Sequence, residues 1–277
     1  MLELPETTTL AKQITRTLAG QSITGLFPAT NVHKLTWFTG DPADYPALLM
    51  GRKLLRADGH GAFLDILFDD DVHLALSDGV MLRYHTPDSK IPERYQLLAT
   101  LSGGGFLVCT VAMYGGIQAF RGTLDNPYYR GALTKPSPLT PDFDERLFDE
   151  LFAATLRSKP TASAKAFLAT EQRIPGLGNG VLQDILFVAR INPRRRIATL
   201  SPDEQHTLFT SVKETLAAMT AQGGRDTERD LFGTSGGYRC LLSKATWQQP
   251  CPQCGGPITK EPYLGGAVYY CPRCQAN

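Results

Sequence analysis

Residues 251–274 read CPQCGGPITKEPYLGGAVYYCPRC, and this stretch decides how the C-terminal end of the chain is built. Cys251 and Cys254 form one Cys-x-x-Cys pair, Cys271 and Cys274 form a second, and sixteen residues separate the pairs. A tight turn lets each pair aim two sulfurs at one ion, and two such pairs complete a tetrahedron. Four thiolates leave no open position for water, so the spacing points to a structural zinc ion. Two disulfides or four free thiols are the competing readings. Residues 258–268, between the pairs, can form a hairpin that turns at or near Gly265-Gly266. Cys109 and Cys240 stand alone and read as core residues.

The rest of the chain must supply the fold to which this module attaches. Of its 277 residues 42% are apolar and 20% charged, which permits substantial cores and argues against global disorder. The length suits one large domain or two ordinary ones. The formal net charge is +1, so any nucleic-acid-binding surface must be local. No apolar run reaches the length of a membrane span. Met1–Glu6 lacks the basic start and apolar stretch of a signal peptide. Four of the six cysteines crowd into the last 27 residues, which fits metal binding in a reducing cytoplasm better than a spread disulfide framework.

Leu4-Pro5-Glu6 reads as a helix start, with proline in the first turn and an acid at the positive end. Leu10, Ile14 and Leu18 then form one apolar stripe, and Gly20 stops the helix. From Ser22 to about Phe120 short β-forming segments appear, such as Phe63–Phe68, His73–Leu76 and Phe106–Val111. Turn signals at Gly40-Asp41-Pro42, Asp69-Asp70-Asp71, Asp78-Gly79 and residues 102–105 separate them, a pattern that suggests a β-sandwich. Residues 126–141, with Asn126-Pro127, Lys135-Pro136 and Ser137-Pro138 among them, read as a linker. Beyond it the pattern is helical over 143–155, 162–170, 180–189 and 202–221. Ser201 and Glu204 are placed for a capping box on the last of these. Residues 223–237 hold five glycines and read as a mobile loop or a plain connector.

Between two of these helices lies Gln172-Arg173-Ile174-Pro175-Gly176-Leu177-Gly178-Asn179. Gly176 and Gly178 permit tight turns, and Asn179 is placed to cap the next helix. The free N–H groups at such a helix start suit a phosphate. Arg190, Arg194, Arg195 and Arg196 follow. An ordinary helix hairpin with a solvated basic end is the equal alternative.

The stretch PGLGNGVLQDILFVARINP, residues 175–193, resembles the helix–two-turn–helix of the formamidopyrimidine-DNA glycosylase/endonuclease VIII family. The ending CPQCGGPI…YYCPRCQ resembles that family's zinc finger, and Glu3-Leu4-Pro5-Glu6 resembles its catalytic N-terminus. Gly122-Thr-Leu-Asp-Asn-Pro lies where the family joins its domains. The resemblance covers both ends and most of the C-terminal half, and it is weak through the β-rich middle. It implies an α+β fold: an N-terminal β-sandwich flanked by helices over 1–125, a linker over 126–141, a helix–two-turn–helix domain over 142–245, and a zinc finger over 246–277. It also implies double-stranded DNA with a damaged base as partner, the damaged nucleotide being flipped out of the stack. By the same match Gly176, Gly178 and Asn179 hold a phosphate, and Lys165 lies near the DNA backbone unless it is simply a solvated lysine. Glu3 matches the acid that protonates the sugar ring oxygen or activates water, and Glu6 matches a supporting acid. Both acids also suit a helix N-terminus without any catalytic role.

The sequence departs from the family in several places. The family's nucleophile is an N-terminal proline exposed by removal of the initiator methionine. Here position 2 is Leu2, whose bulk should leave Met1 in place with a primary α-amine one residue upstream. His60 or Ala62 stands where a hairpin lysine grips phosphate. Ser77 falls near a methionine that fills the gap left by the flipped base. Residues 111–116 replace an arginine- and phenylalanine-containing segment that wedges the opposite strand. Gly265-Gly266-Ala267 lacks the finger's phosphate-binding arginine, leaving Lys260 and Arg273 as the basic residues there.

The resemblance thus implies a DNA repair protein that hydrolyses the N-glycosidic bond of a damaged base, with strand-cleaving lyase activity weak or absent. Two alternatives stand beside it: a non-catalytic binder of damaged or distorted DNA, and Schiff-base chemistry by the Met1 α-amine. The catalytic candidates are Met1, Glu3 and Glu6, and the DNA-binding candidates are Lys165, Gly176, Gly178, Asn179 and Lys260. The expected cofactor is a structural zinc ion on the four C-terminal cysteines. A monomer in the cytoplasm, associated with the nucleoid and not with a membrane, is expected.

Overall fold

The apolar stripe of Leu10, Ile14 and Leu18 must lie on something, and it lies on a sheet. In the computed structural model of the chain, which describes residues 1–29 and 31–276, these side chains are buried on α1, Leu4–Leu18, which packs against strands β3, Leu54–His60, and β4, Phe63–Phe68. The chain divides into two compact units, residues 1–133 with 228–235 and residues 134–227 with 236–277.

The remaining strands of the first unit are β1, Ile23–Pro28, β2, Thr36–Phe38, β5, Val72–His85, β6, Leu97–Leu101, and β7, Phe106–Arg121. A five-residue helix, α2, Tyr45–Leu49, precedes β3. The strand order is β1-β6-β7-β5-β4-β3, with β2 added parallel to β7. One apolar core draws Leu26, Leu97 and Leu101 from one half of the sheet and Leu54, Leu64 and Ile66 from the other. The two halves therefore enclose a shared interior, as expected of a sandwich. The long pair β5–β7 slips register at Asp78/Val80, where Gly115 faces Asp78 but Val111 faces Val80. Residues 112–114 bulge out as a result, and all three are exposed.

The proline-rich segment after the sheet is more than a connector. It contains α3, Pro127–Thr134, because Asn126 Oδ1 accepts the N–H groups of Tyr128 and Tyr129 at 2.9 and 3.2 Å and Pro127 opens the first turn. Tyr129 of α3 packs into a second apolar cluster with Phe63, Ala75, Phe120 and Leu124. Its hydroxyl donates to Asp65 Oδ2 at 2.7 Å, and His73 Nδ1 lies 3.0 Å from the same oxygen.

The second unit holds α4, Glu145–Ser158, capped by Asp144; α5, Ala164–Ala169, capped by Ser163; α6, Asn179–Val188; and α7, Pro202–Ala221, with the Ser201/Glu204 capping box formed. It ends in the hairpin β8, Thr259–Tyr263, and β9, Gly266–Tyr270. Among the described residues no helix is long and apolar enough to cross a membrane.

The glycine-rich segment 223–237 is anchored at both its ends and its middle. Asp184 of α6 accepts the N–H groups of Leu241 and Leu242, both at 2.8 Å, just beyond it. Gly236 passes so close to Gly224 that a Cβ there would lie 2.2 Å from the Gly224 oxygen. Residues 228–235 join the first unit, where Leu231 is fully buried in the core and Gln13 bonds both Leu231 N and Asp230 Oδ2. The reading of this segment as a mobile loop is corrected by one apolar side chain, Leu231, that glycine content does not reveal.

Candidate active site and nucleic-acid interface

In the first unit the site begins at the N-terminus of α1. Glu3 is the N-cap residue and only 2% exposed, and Glu6 in the first turn is also buried. The Glu3 side chain makes no capping hydrogen bond to α1, so capping does not account for its burial. The chain before it is pinned: Leu2 N donates to Asp78 O at 2.6 Å, and the Leu2 side chain lies in the core. Asp78 itself has φ +59° at the β5–β7 bulge. Burial raises its carboxyl pKa, and the Ser77 hydroxyl, donating to Oδ2 at 2.9 Å, opposes the rise.

The Met1 α-amine pairs with the Glu228 carboxylate. Met1, Glu6, Arg83, Glu228 and Arg229 line one small cavity. Burial lowers the Arg83 pKa, against the pull of Asp230 and Glu228. The cavity thus brings a buried carboxylate, Glu6, and a half-buried one, Glu228, beside an amine, and carboxylates and amines are groups that can move a proton.

In the second unit Lys165 and Asn179 come together, and neither points freely outward. Lys165 is 2% exposed, and its Nζ donates to Asn179 Oδ1 and to Tyr263 O, each at 2.6 Å. Burial lowers its pKa to about 8. Asn179 does not cap α6 as its position suggested; the N-cap is Gly178, and Asn179 Nδ2 donates to Ala267 O at 3.0 Å. Gln183, one turn on, donates to Ala267 O and accepts Tyr269 N–H. The turns before α6 use left-handed backbone at Glu171, Gln172 and Gly176, and Gln172 Oε1 accepts the Gly176 N–H at 3.0 Å. Lys260 stands on β8 with Nζ 5.0 Å from the Trp247 ring centre, a cation–π contact. In the basic run, Arg194 bonds Glu261 and Arg195 bonds Glu204.

The four C-terminal cysteines converge, their sulfurs all within 4.8 Å of one another. The Cys251–Cys274 and Cys254–Cys271 sulfurs are 3.8 and 3.5 Å apart, far beyond a disulfide bond of about 2.05 Å. They can hold one metal ion. Cys251 N donates to Gly256 O, and Cys271 N donates to Gln275 Oε1, which shapes the two knuckles. Gln275 is fully buried and its Nε2 donates to Ile191 O, joining the second knuckle to the end of α6.

Sequence reasoning missed Asp78, Glu228, Gln183 and Gln275. Gln183 alone left a signal, since it lies four residues after Asn179 on one face of a helix. The other three reach their partners through the fold.

No protein-family model matches the chain. A formamidopyrimidine-DNA glycosylase from Teredinibacter turnerae is 30% identical over 99% of this chain and 100% of its own length. The chain belongs to the formamidopyrimidine-DNA glycosylase family. Glycosylases of the same name from Bordetella petrii and Shouchella clausii are 29% and 26% identical, each over 99% of both chains. Among solved structures, Lactococcus lactis Fpg in complex with abasic-site DNA has a TM-score of 0.83 at 23% identity, covering 99% of this chain and 100% of that one. MutM (Fpg) from Thermus thermophilus has a TM-score of 0.80 at 24% identity, covering 99% and 98%. The likeness to these two establishes a shared fold. The glycosylase-family architecture is thus present from end to end, with Leu2 packed in the core ahead of Glu3.

Proposed function

We propose that this protein binds duplex DNA containing a damaged base and hydrolyses the bond between that base and its sugar. The observation that carries the reading is Glu3: a carboxylate 2% exposed at the start of α1, unused as a cap, in a chain that belongs to a glycosylase family over its whole length. In the reaction Glu3 takes a proton from water as the water oxygen attacks the sugar C1′. The C1′–N bond breaks, the base leaves with its electron pair and takes a proton from solvent, and Glu3 returns to solvent the proton it took from water, leaving a hydroxyl on C1′. The Asp78 carbonyl that holds Leu2 N keeps Glu3 in position, and Glu6, buried in the first turn of α1, is the supporting acid. Leu2 supplies no proline amine and is buried, so strand cleavage through a Schiff base is weak or absent.

Gly176, Gly178, Asn179, Lys165 and Lys260 form the groove-binding side in this reading, and the flipped nucleotide is served by the first unit. The cysteine cluster takes a structural zinc ion. Its sulfur separations of 3.5 and 3.8 Å suit the edge of a tetrahedron with Zn–S bonds of about 2.3 Å. Zinc there braces the β8–β9 hairpin and takes no part in the reaction.

The test is incubation of the protein with duplexes carrying oxidised bases or an abasic site, followed by borohydride. Base release without a trapped adduct, lost in Glu3→Gln, is the expected result. A covalent adduct would instead establish an amine nucleophile. Lesion-selective binding with no base release across a broad panel would establish a non-catalytic binder.

A further inference from the structure

Thr7, Thr8 and Thr9 follow one another inside the first turns of α1. Three β-branched residues in a row are a poor choice for a helix, so their hydroxyls need an account. Thr8 and Thr9 answer locally. Each donates to the carbonyl four residues back, Leu4 O and Pro5 O, at 2.8 Å. Thr7 does something else. It is fully buried, and its hydroxyl lies 3.2 Å from Leu4 O but 2.7 Å from Gly61 O, in the turn between β3 and β4. The single hydroxyl proton therefore goes chiefly across to the hairpin.

The hairpin is built to meet it. Gly59 passes so close to the helix that a Cβ there would lie 2.8 Å from Thr8 N and 2.9 Å from the Thr7 carbonyl carbon. Its backbone is not left-handed, so the close approach is what asks for glycine. Farther along α1 the Thr15 hydroxyl donates to Ala57 O at 3.2 Å and accepts the Ala57 N–H at 2.8 Å. β3 is the last strand in the sheet order, and these bonds cover its open edge. From Thr7 to Thr15 the helix rises about 12 Å at 1.5 Å per residue. From Gly61 back to Ala57 the extended chain spans about 13 Å at 3.3 Å per residue. The spans match, so α1 docks in one axial register.

Glu3 stands one turn before Thr7 on the same face of α1, and its carbonyl accepts the Thr7 N–H at 3.0 Å. The Leu2 N–H on Asp78 O fixes the chain before Glu3. The Thr7 clamp fixes it after. We propose that Thr7 is a positioning residue for the hydrolytic step: by tying the β3–β4 turn to the first turns of α1 it sets where the Glu3 carboxylate stands. This rests on the proposed function and deepens it. Thr7 acts through Glu3 and touches no reacting atom. Such placement matters, because an error of about 1 Å in a reacting group can cost on the order of a hundredfold in rate.

The experiment compares the wild type with Thr7→Val, Thr7→Ser and Thr15→Val. Single-turnover base release is measured on a panel of oxidised-base duplexes, 8-oxoguanine and thymine glycol among them. Binding is measured on a duplex with a tetrahydrofuran abasic-site analogue. Thr7→Val keeps the shape and removes the donor. It should release base about tenfold more slowly while its affinity stays within about twofold of the wild type. Thr7→Ser, which restores the hydroxyl, should recover the rate to within about threefold. Thr15→Val loses the same kind of bond farther from Glu3. It should lower the melting temperature about as much as Thr7→Val does, yet slow release by less than about threefold. Hydrogen exchange over residues 59–63 should quicken in Thr7→Val and not in Thr7→Ser. Four results would overturn the positioning role alone: wild-type release by Thr7→Val, a loss that Thr7→Ser shares, equal slowing by Thr7→Val and Thr15→Val, or a loss of binding as large as the loss of rate. A wild type that releases no base from any of the duplexes would overturn the proposed function and this inference with it.

Discussion

Asp184 is 1% exposed and places one carboxylate oxygen on each of two neighbouring backbone N–H groups, those of Leu241 and Leu242. Burial raises its pKa from 3.8 to about 6, while the two N–H groups, Tyr238 and Arg225 pull the other way. The folded protein thus holds this proton more tightly than the unfolded chain does. Stability from this group therefore falls as pH rises from about 4 to about 6. Asp184→Asn removes that pH dependence but leaves one N–H facing an amide NH₂. It should cost about 1–3 kcal/mol at neutral pH. Urea unfolding of both proteins at pH 4.5 and pH 7 checks this: the deficit of the variant should be larger at pH 4.5, and equal deficits would refute the assignment. The residue was invisible as a ligand of the loop in the sequence, because its partners lie 57 and 58 positions away.

At the scale of elements, the link between α3 and the sheet depends on pH. Asp65 accepts the Tyr129 hydroxyl and faces His73 Nδ1, while His73 Nε2 is 3.3 Å from Asp71 Oδ1 and the ring stacks on Phe120. The His73 pKa is raised above 6.5, first by the hydrogen bond to Asp65, with burial opposing. A raised pKa means that the stabilisation is fully present below 6.5 and is lost as pH climbs through the folded-state value. Between pH 6 and pH 9 the melting temperature of the wild type should fall more than that of His73→Gln; parallel profiles would count against the link. Element identity was legible where the pattern was local. Ser201 and Glu204 opened α7 at Pro202, and Gly20 followed the end of α1. The helix in 127–134 was hidden because prolines mark helix starts as well as loops. The bulge was hidden because a slip in one strand leaves period-two alternation on either side of it unchanged. In the candidate site the four cysteines could be read from their spacing and Glu3 only through the resemblance of Glu3-Leu4-Pro5-Glu6 to the family's N-terminus, whereas Thr7 and Gly61 meet only through the packing of α1 on β3.

For the whole molecule, the first unit is not encoded by one continuous stretch. Residues 228–235 complete it, with Leu231 fully buried and the Tyr84 N–H donating to Leu231 O at 2.9 Å. Leu231→Ala should cost about 2–5 kcal/mol of first-unit stability. Hydrogen exchange at the amides of β5, Tyr84 among them, checks this; protection equal to that of the wild type would rule it out. Two sequence domains in series were the natural expectation from a proline-rich boundary, and nothing in the local pattern of 228–235 announces where it packs. That return has a consequence in time. As the chain leaves the ribosome the first unit emerges through Leu133, then waits for the stretch up to Leu231 before its interior can close. At synthesis rates of roughly 5–20 residues per second that delay is on the order of 5–20 s. A nascent chain paused in that interval would carry a core with one leucine-sized opening, beside the strand that Leu231 later joins.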